Sequence, residues 1–223
     1  MPRPPGPTDS TASGDDPHAG QPVETAGAPP QAAEAAVVLL HGRGASAKSI
    51  LGLVDDLYQH GATYLAPQAA RNTWYPRSGY VTFEENEPWF SSALDTVKRS
   101  LEMASDAGVP PDRTLLLGFS QGGCLASEFV ARNPRRYGGL VVLSGSLLGP
   151  ETRRDYEGDI DETPVFLGCS SEDRYVAAER VHESASVLEG LGGDVTSQLY
   201  DGLGHAINED ELEMAERLIE RLL

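Results

Sequence analysis

Short apolar runs fall at 36–40, 63–66, 114–117, 139–144, 164–168 and 195–200, and the chain between them repeats its apolar residues at helical spacing. Phe90, Leu94, Val97, Leu101 and Ala104 share one face of a helix that begins near Pro88. Ile50, Leu53, Val54 and Leu57 make a second such face, and Leu212, Ala215, Leu218 and Leu222 a third. A strand that is apolar at successive positions is covered on both sides, and strands joined through helices run parallel. The alternation therefore predicts an α/β fold, a mostly parallel central sheet with helices on both faces. Asn208 is placed to cap the last helix, and Glu209, Asp210 and Glu211 lie at the positive end of its dipole.

The first 34 of the 223 residues read differently, with eight of the sixteen prolines, many Gly and Ala, and no hydrophobic periodicity. Such a segment buries too little apolar surface to offset ordering. Residues 1–34 are therefore expected to be a disordered tail, and 35–223 a single domain. The tail lacks the charged start and apolar centre of a signal peptide. No apolar run approaches the roughly 20 residues of a membrane span. The expected location is cytoplasmic, without stable membrane association.

The run ending at Leu117 leads into Gly118-Phe119-Ser120-Gln121-Gly122, with helix-forming residues Cys124 to Ala131 beyond. A serine hydroxyl is a poor nucleophile unless it is exposed, aimed and deprotonated by a neighbour. A sharp strand-to-helix turn with flanking glycines does the aiming. Ser120 is thus the candidate nucleophile, against the plainer reading of a helix cap in a glycine-rich loop.

A turn of this kind takes its partners later in the chain, an acid and then a histidine. Of the five histidines, His18 lies in the low-complexity tail, His60 at a helix end and His182 on a helical pattern. His205 stands in the glycine-flanked loop Asp201-Gly202-Leu203-Gly204-His205, after a strand and before the last helix, and is the candidate base. The acid should follow a strand between the two. Asp173 is favoured, in the turn after the run at 164–168, with Glu172 and Asp201 as rivals. The first apolar run is followed by His41-Gly42-Arg43-Gly44, a turn suited to expose backbone N–H groups. The N–H groups of Arg43 and Gln121 are the candidate oxyanion donors, and His41 is expected to brace the loop. Trp74, Tyr75 and Phe119 are the candidate substrate contacts, while Trp89 is as well explained by helix packing.

These motifs resemble the α/β-hydrolase fold, and within it the phospholipase/carboxylesterase family that includes the acyl-protein thioesterases. The resemblance covers residues from about 35 to 223, and Phe-Ser-Gln-Gly-Gly is its most specific element. It implies a triad of Ser120, Asp173 and His205, oxyanion donors at Arg43 and Gln121, and no cofactor. Arg43 stands where such proteins often carry an apolar residue. The acidic stretch Glu84-Glu85-Asn86-Glu87 occupies the region where an apolar segment for a lipid chain would be expected. The expected activity is hydrolysis of short carboxylic esters, with thioester or lysophospholipid cleavage, or a non-catalytic binding role, as alternatives.

The formal net charge is −17, and only two of the seventeen basic residues are lysines. That balance repels nucleic acid and anionic membranes, leaving a small ester as the expected partner. It also suggests adaptation to high salt, where screening removes self-repulsion. Cys124 and Cys169 read as buried packing residues, and no His or Cys cluster has metal-ligand spacing.

Overall fold

The computed structural model describes residues 16–223. Its strands are β1 (Val23–Gly27), β2 (Ala35–Leu40), β3 (Ala62–Pro67), β4 (Thr114–Phe119), β5 (Gly139–Leu143), β6 (Pro164–Ser170) and β7 (Asp194–Tyr200). They form one sheet in the order β1-β3-β2-β4-β5-β6-β7. β1 runs antiparallel to β3, and every other pairing is parallel. The helices are α1 (Ala47–Ile50), α2 (Val54–Leu57), α3 (Trp89–Asp106), α4 (Gln121–Arg132), α5 (Ala178–Gly190) and α6 (Glu209–Glu220).

Alternate strand residues feed two cores, as the period-two geometry of a strand requires. Val38, Leu40, Leu116 and Val142 pack against apolar residues of α3, α4 and α5. Val37, Leu39, Leu115 and Leu117 pack with Ala47 and Ile50 of α1, Val54 and Leu57 of α2, and Ala215, Leu218 and Ile219 of α6. The α/β plan read from the sequence is the plan of the molecule. The helical face at 50–57 is broken by a 3-10 turn at Leu51–Leu53. Asn208 caps α6 as expected, and its capping box with Glu211 is complete.

The chain leaves β2 toward β3 on one side, and leaves β4 toward β5 on the other. In open α/β sheets, a crevice opens at such a reversal, beyond the carboxyl ends of the two strands. Here those ends carry His41-Gly42-Arg43 and Ser120.

The expected tail boundary at residue 34 does not hold. β1 lies within it and pairs with β3 from Val23↔Pro67 to Gly27↔Thr63. His18 is only 1% exposed. Composition asks whether a segment can bury its own apolar surface. This one instead borrows a sheet edge and a place in the core built by the rest of the chain. The disorder expected of residues 1–15 lies outside the described residues.

Candidate active site

Ser120 joins β4 to α4 at φ 55 and ψ −119, a backbone conformation that L-residues rarely adopt. The flanking glycines make that turn feasible. A Cβ on Gly118 would stand 2.2 Å from the Gly122 carbonyl oxygen, and one on Gly122 would stand 2.0 Å from that of Leu40. The turn therefore packs backbone against backbone, and Ser120 is thrown outward over the end of the sheet.

The Ser120 hydroxyl donates to His205 Nε2 at 2.8 Å. His205 Nδ1–H donates to Asp173 Oδ2 at 2.7 Å. The other Asp173 oxygen accepts the N–H groups of Tyr175, at 2.8 Å, and Val176, at 3.2 Å. Burial would raise the Asp173 pKa, but these N–H groups and the His205 ring outweigh it and hold the carboxyl below its ordinary value. Both rivals lie elsewhere. Asp201 accepts from the Ser171 hydroxyl at 2.6 Å, and Glu172 is exposed.

The loop after β2 comes from the other side. A Cβ on Gly42 would touch the Phe119 ring at 3.3 Å and the Ser120 Cβ at 3.4 Å, so the loop lies directly against the turn. Among the described residues, the N–H of Arg43 and that of Gln121, the first residue of α4, meet no acceptor. A first-turn helix N–H has no acceptor inside its own helix. The Arg43 side chain reaches across the cleft to the carbonyls of Pro76, at 2.9 Å, and Arg77, at 2.5 Å. His41 braces the loop as expected: it is fully buried, with Nδ1–H on the Gly42 carbonyl and Nε2 accepting the Ala69 N–H.

These groups open into a cleft of about 580 Å³ whose walls include Tyr75, Tyr80, Phe119, Tyr175 and Val176. Tyr75 and Phe119 are thus where the sequence suggested. Trp74 is not. It is fully buried behind the wall, its Nε1–H donates to the His41 carbonyl, and its ring lies between those of His18 and His41. Trp89 also faces away, against His18. The sequence reading missed Tyr80 and Tyr175, which carry no local signal and are brought in from separate loops. A larger hollow, of about 780 Å³, lies at the amino ends of the strands, among residues such as Asp112, Gly138 and Asp194, and its lining has no Ser, Thr, Cys or His. Cys124 touches the cleft, but burial pushes its thiol pKa up. Burial and the neighbouring Asp173 push that of Cys169 to about 12, so both thiols stay protonated. Among the described residues no His, Cys, Asp and Glu group could hold a metal ion.

Residues 23–223 match the phospholipase/carboxylesterase family model. The chain belongs to that family. A crystal structure of a phospholipase/carboxylesterase from Dyadobacter fermentans is 37% identical, with a TM-score of 0.86 over 90% of this chain and 96% of its own. With such neighbours the fold of this family member is the α/β-hydrolase fold. Acyl-protein thioesterase 1 of Gibberella zeae is 35% identical over 126 residues, 55% of this chain and 54% of the relative. A probable carboxylesterase of rice is 30% identical over 59% of this chain and 50% of its own length. The chain spans about half the length of the curated relatives that it matches. Another rice relative, 27% identical, is named a probable inactive carboxylesterase. No helix among the described residues is long and apolar enough to cross a membrane.

Proposed function

We propose that this family hydrolase is a serine carboxylesterase that cleaves short-chain esters through an acyl-enzyme. The observation that carries the reading is the continuous hydrogen-bond chain from Ser120 through His205 to Asp173. A backbone-anchored carboxylate fixes the imidazole as its Nδ1–H tautomer, which leaves Nε2 free to accept the serine proton.

Ser120 Oγ attacks the carbonyl carbon as its proton passes to His205 Nε2. The oxygen gains negative charge and is held by the N–H groups of Arg43 and Gln121. The intermediate collapses, the ester C–O bond breaks, and His205 returns its proton to the departing alcohol. Water then gives a proton to Nε2 as it attacks the acyl carbon, and the acyl C–O bond breaks with that proton passing to Ser120 Oγ, which frees the acid and the resting serine. Asp173 stabilises the imidazolium in both halves and remains ionised.

Two features support a short acyl group. The wall at 75–80 is tied in place by Arg43, by Asn86 to the Ser78 carbonyl and by Gly149 to that of Gly79. Tyr80, tethered by its hydroxyl to Ser146, stands in the cleft. The thioesterase named among the relatives favours a second reading, cleavage of acyl thioesters by the same groups.

The test is a panel of p-nitrophenyl esters and acyl thioesters from four to sixteen carbons, run beside fluorophosphonate labelling. Turnover that falls with chain length, together with labelling lost in Ser120→Ala, is expected. Activity rising toward sixteen carbons would replace the short-ester reading with a lipid one. A wild-type protein that neither labels nor turns over would be a non-catalytic binder.

A further inference from the structure

His18 is the one buried residue between 16 and 34, and every polar atom of its ring is committed. Its Nδ1 accepts the Ala70 N–H at 3.0 Å, and its Nε2–H donates to the Trp74 carbonyl at 2.9 Å. A backbone N–H can only donate and a carbonyl can only accept, so these partners fix one neutral tautomer. His41 does the same for the adjoining residue, its Nε2 accepting the Ala69 N–H at 3.1 Å. Two imidazoles thus hold consecutive backbone N–H groups, with the Trp74 indole between them at 5.5 and 5.0 Å from the two rings. The segment that carries His18 is secured by its own N–H on the Ser92 hydroxyl, and by Asp16 on Ser92 and Arg99.

What this clamp holds is the cleft wall on the oxyanion side. Gln121 Oε1 accepts the Trp74 N–H at 3.0 Å, and its Nε2 donates to the Tyr75 carbonyl at 2.8 Å. Trp74 Nε1–H donates to the His41 carbonyl at 2.8 Å, one residue before Gly42-Arg43. Trp74 therefore joins the segments that carry both proposed oxyanion donors.

We propose that neutral His18 is a positioning residue, latching the N-terminal strap to the wall that sets the oxyanion donors, and that a second proton on its ring opens the latch. The inference rests on the hydrolase reading of the cleft. A proton on Nδ1 would set one N–H against the Ala70 N–H, with no acceptor in reach. The charged and titratable groups around the ring are Asp16, which favours the cation, Arg99, which opposes it, and His41 across Trp74, with Arg71 over the Trp89 ring. Burial dominates and holds the His18 pKa below its ordinary value. Its contribution to stability is present above the unfolded value, about 6.5, and is lost as pH falls through the lower folded one.

The chain has two tryptophans, and both rings lie against His18, at 5.5 and 5.4 Å. An imidazolium quenches a neighbouring indole, so the fluorescence of the full chain reads the latch without substrate. A reversible fall in emission below pH 6.5 is expected in the wild type, and a much smaller one in His18→Gln, where only His41 remains beside Trp74. At pH 7.5, His18→Ala should lower kcat about tenfold, less than losing a whole oxyanion donor, with little change in KM. His18→Gln, which retains a donor and an acceptor, should recover most of that loss. Emission that ignores pH in the wild type, or titrates to the same extent in His18→Gln, overturns the latch. An unchanged kcat in folded His18→Ala overturns the positioning role. If the wild type neither labels with fluorophosphonate nor turns over, the hydrolase reading falls separately. Exchange of the Ala70 and Trp74 amides then decides the latch: faster in His18→Ala supports it, and unchanged overturns it.

Discussion

Gly122 meets Leu40 so closely that a Cβ on the glycine would stand 2.0 Å from the leucine's carbonyl oxygen. The first turn of α4 is thereby seated on the carboxyl end of β2, and the Arg43 loop is brought beside Ser120. Gly122→Ala should force the two apart. The expected loss of stability is about 1–3 kcal/mol, the usual cost of overpacking. Turnover should fall about a hundredfold, as a shift near 1 Å can cause. Urea unfolding and ester kinetics on the same preparation would check both; near-wild-type turnover would mean that the turn yields more than its backbone contacts imply.

Asp173→Asn should cut turnover by about ten thousandfold, because an amide no longer fixes the Nδ1–H tautomer of His205. Asp201→Asn should leave turnover almost unchanged, since Asp201 meets Ser171 rather than the ring. A reversed order, with Asp201→Asn crippling, would show that the loop rearranges when substrate binds.

Glu211 is buried, and its Oε1 has no partner among the described residues. Burial pushes its pKa up to about 7 from an ordinary 4.5, so the folded state holds the proton more tightly. Its stabilising effect is full below about 4.5 and is lost as pH rises through 7. Glu211→Gln should remove that dependence. The thermal midpoint of the variant should gain on the wild type between pH 5 and pH 8, and parallel profiles would argue against the shift.

Stability should rise with salt. The net charge of −17 repels itself most at low ionic strength. At about 2 M potassium chloride the Debye length is below roughly 3 Å, so surface repulsion is largely screened. The thermal midpoint and the activity should both exceed their values at about 0.1 M. A midpoint that is flat or falls with salt would deny the acidic surface that role.

Where the physics is local, the sequence was informative. The run at 114–117 beside Gly118 and Gly122 specifies a buried strand and a turn that only small residues permit, and Asn208 with Glu211 specifies a helix start. His205 could be found by elimination, because of the two histidines beyond Ser120 it alone stands on a glycine-flanked loop after a strand, while His182 lies on a helix. Trp74 and Tyr75 could not be told apart. Adjacent side chains diverge, and the choice of which faces the cleft depends on His18 and His41 taking the indole from behind.

The sequence by itself determined the alternation of strands and helices, the turn that exposes Ser120, and the family to which these motifs point. Those properties follow from apolar period, backbone sterics and capping, which act within a few residues. Only the tertiary structure decided that Asp173 rather than Asp201 meets His205, that residues 16–34 complete the sheet and core, and that His18 anchors the wall of the cleft. They depend on groups far apart in the chain, 74 residues for His18 and Ser92 and 83 for Asp16 and Arg99. Such partners come together only when the whole core has formed, and no local pattern records them.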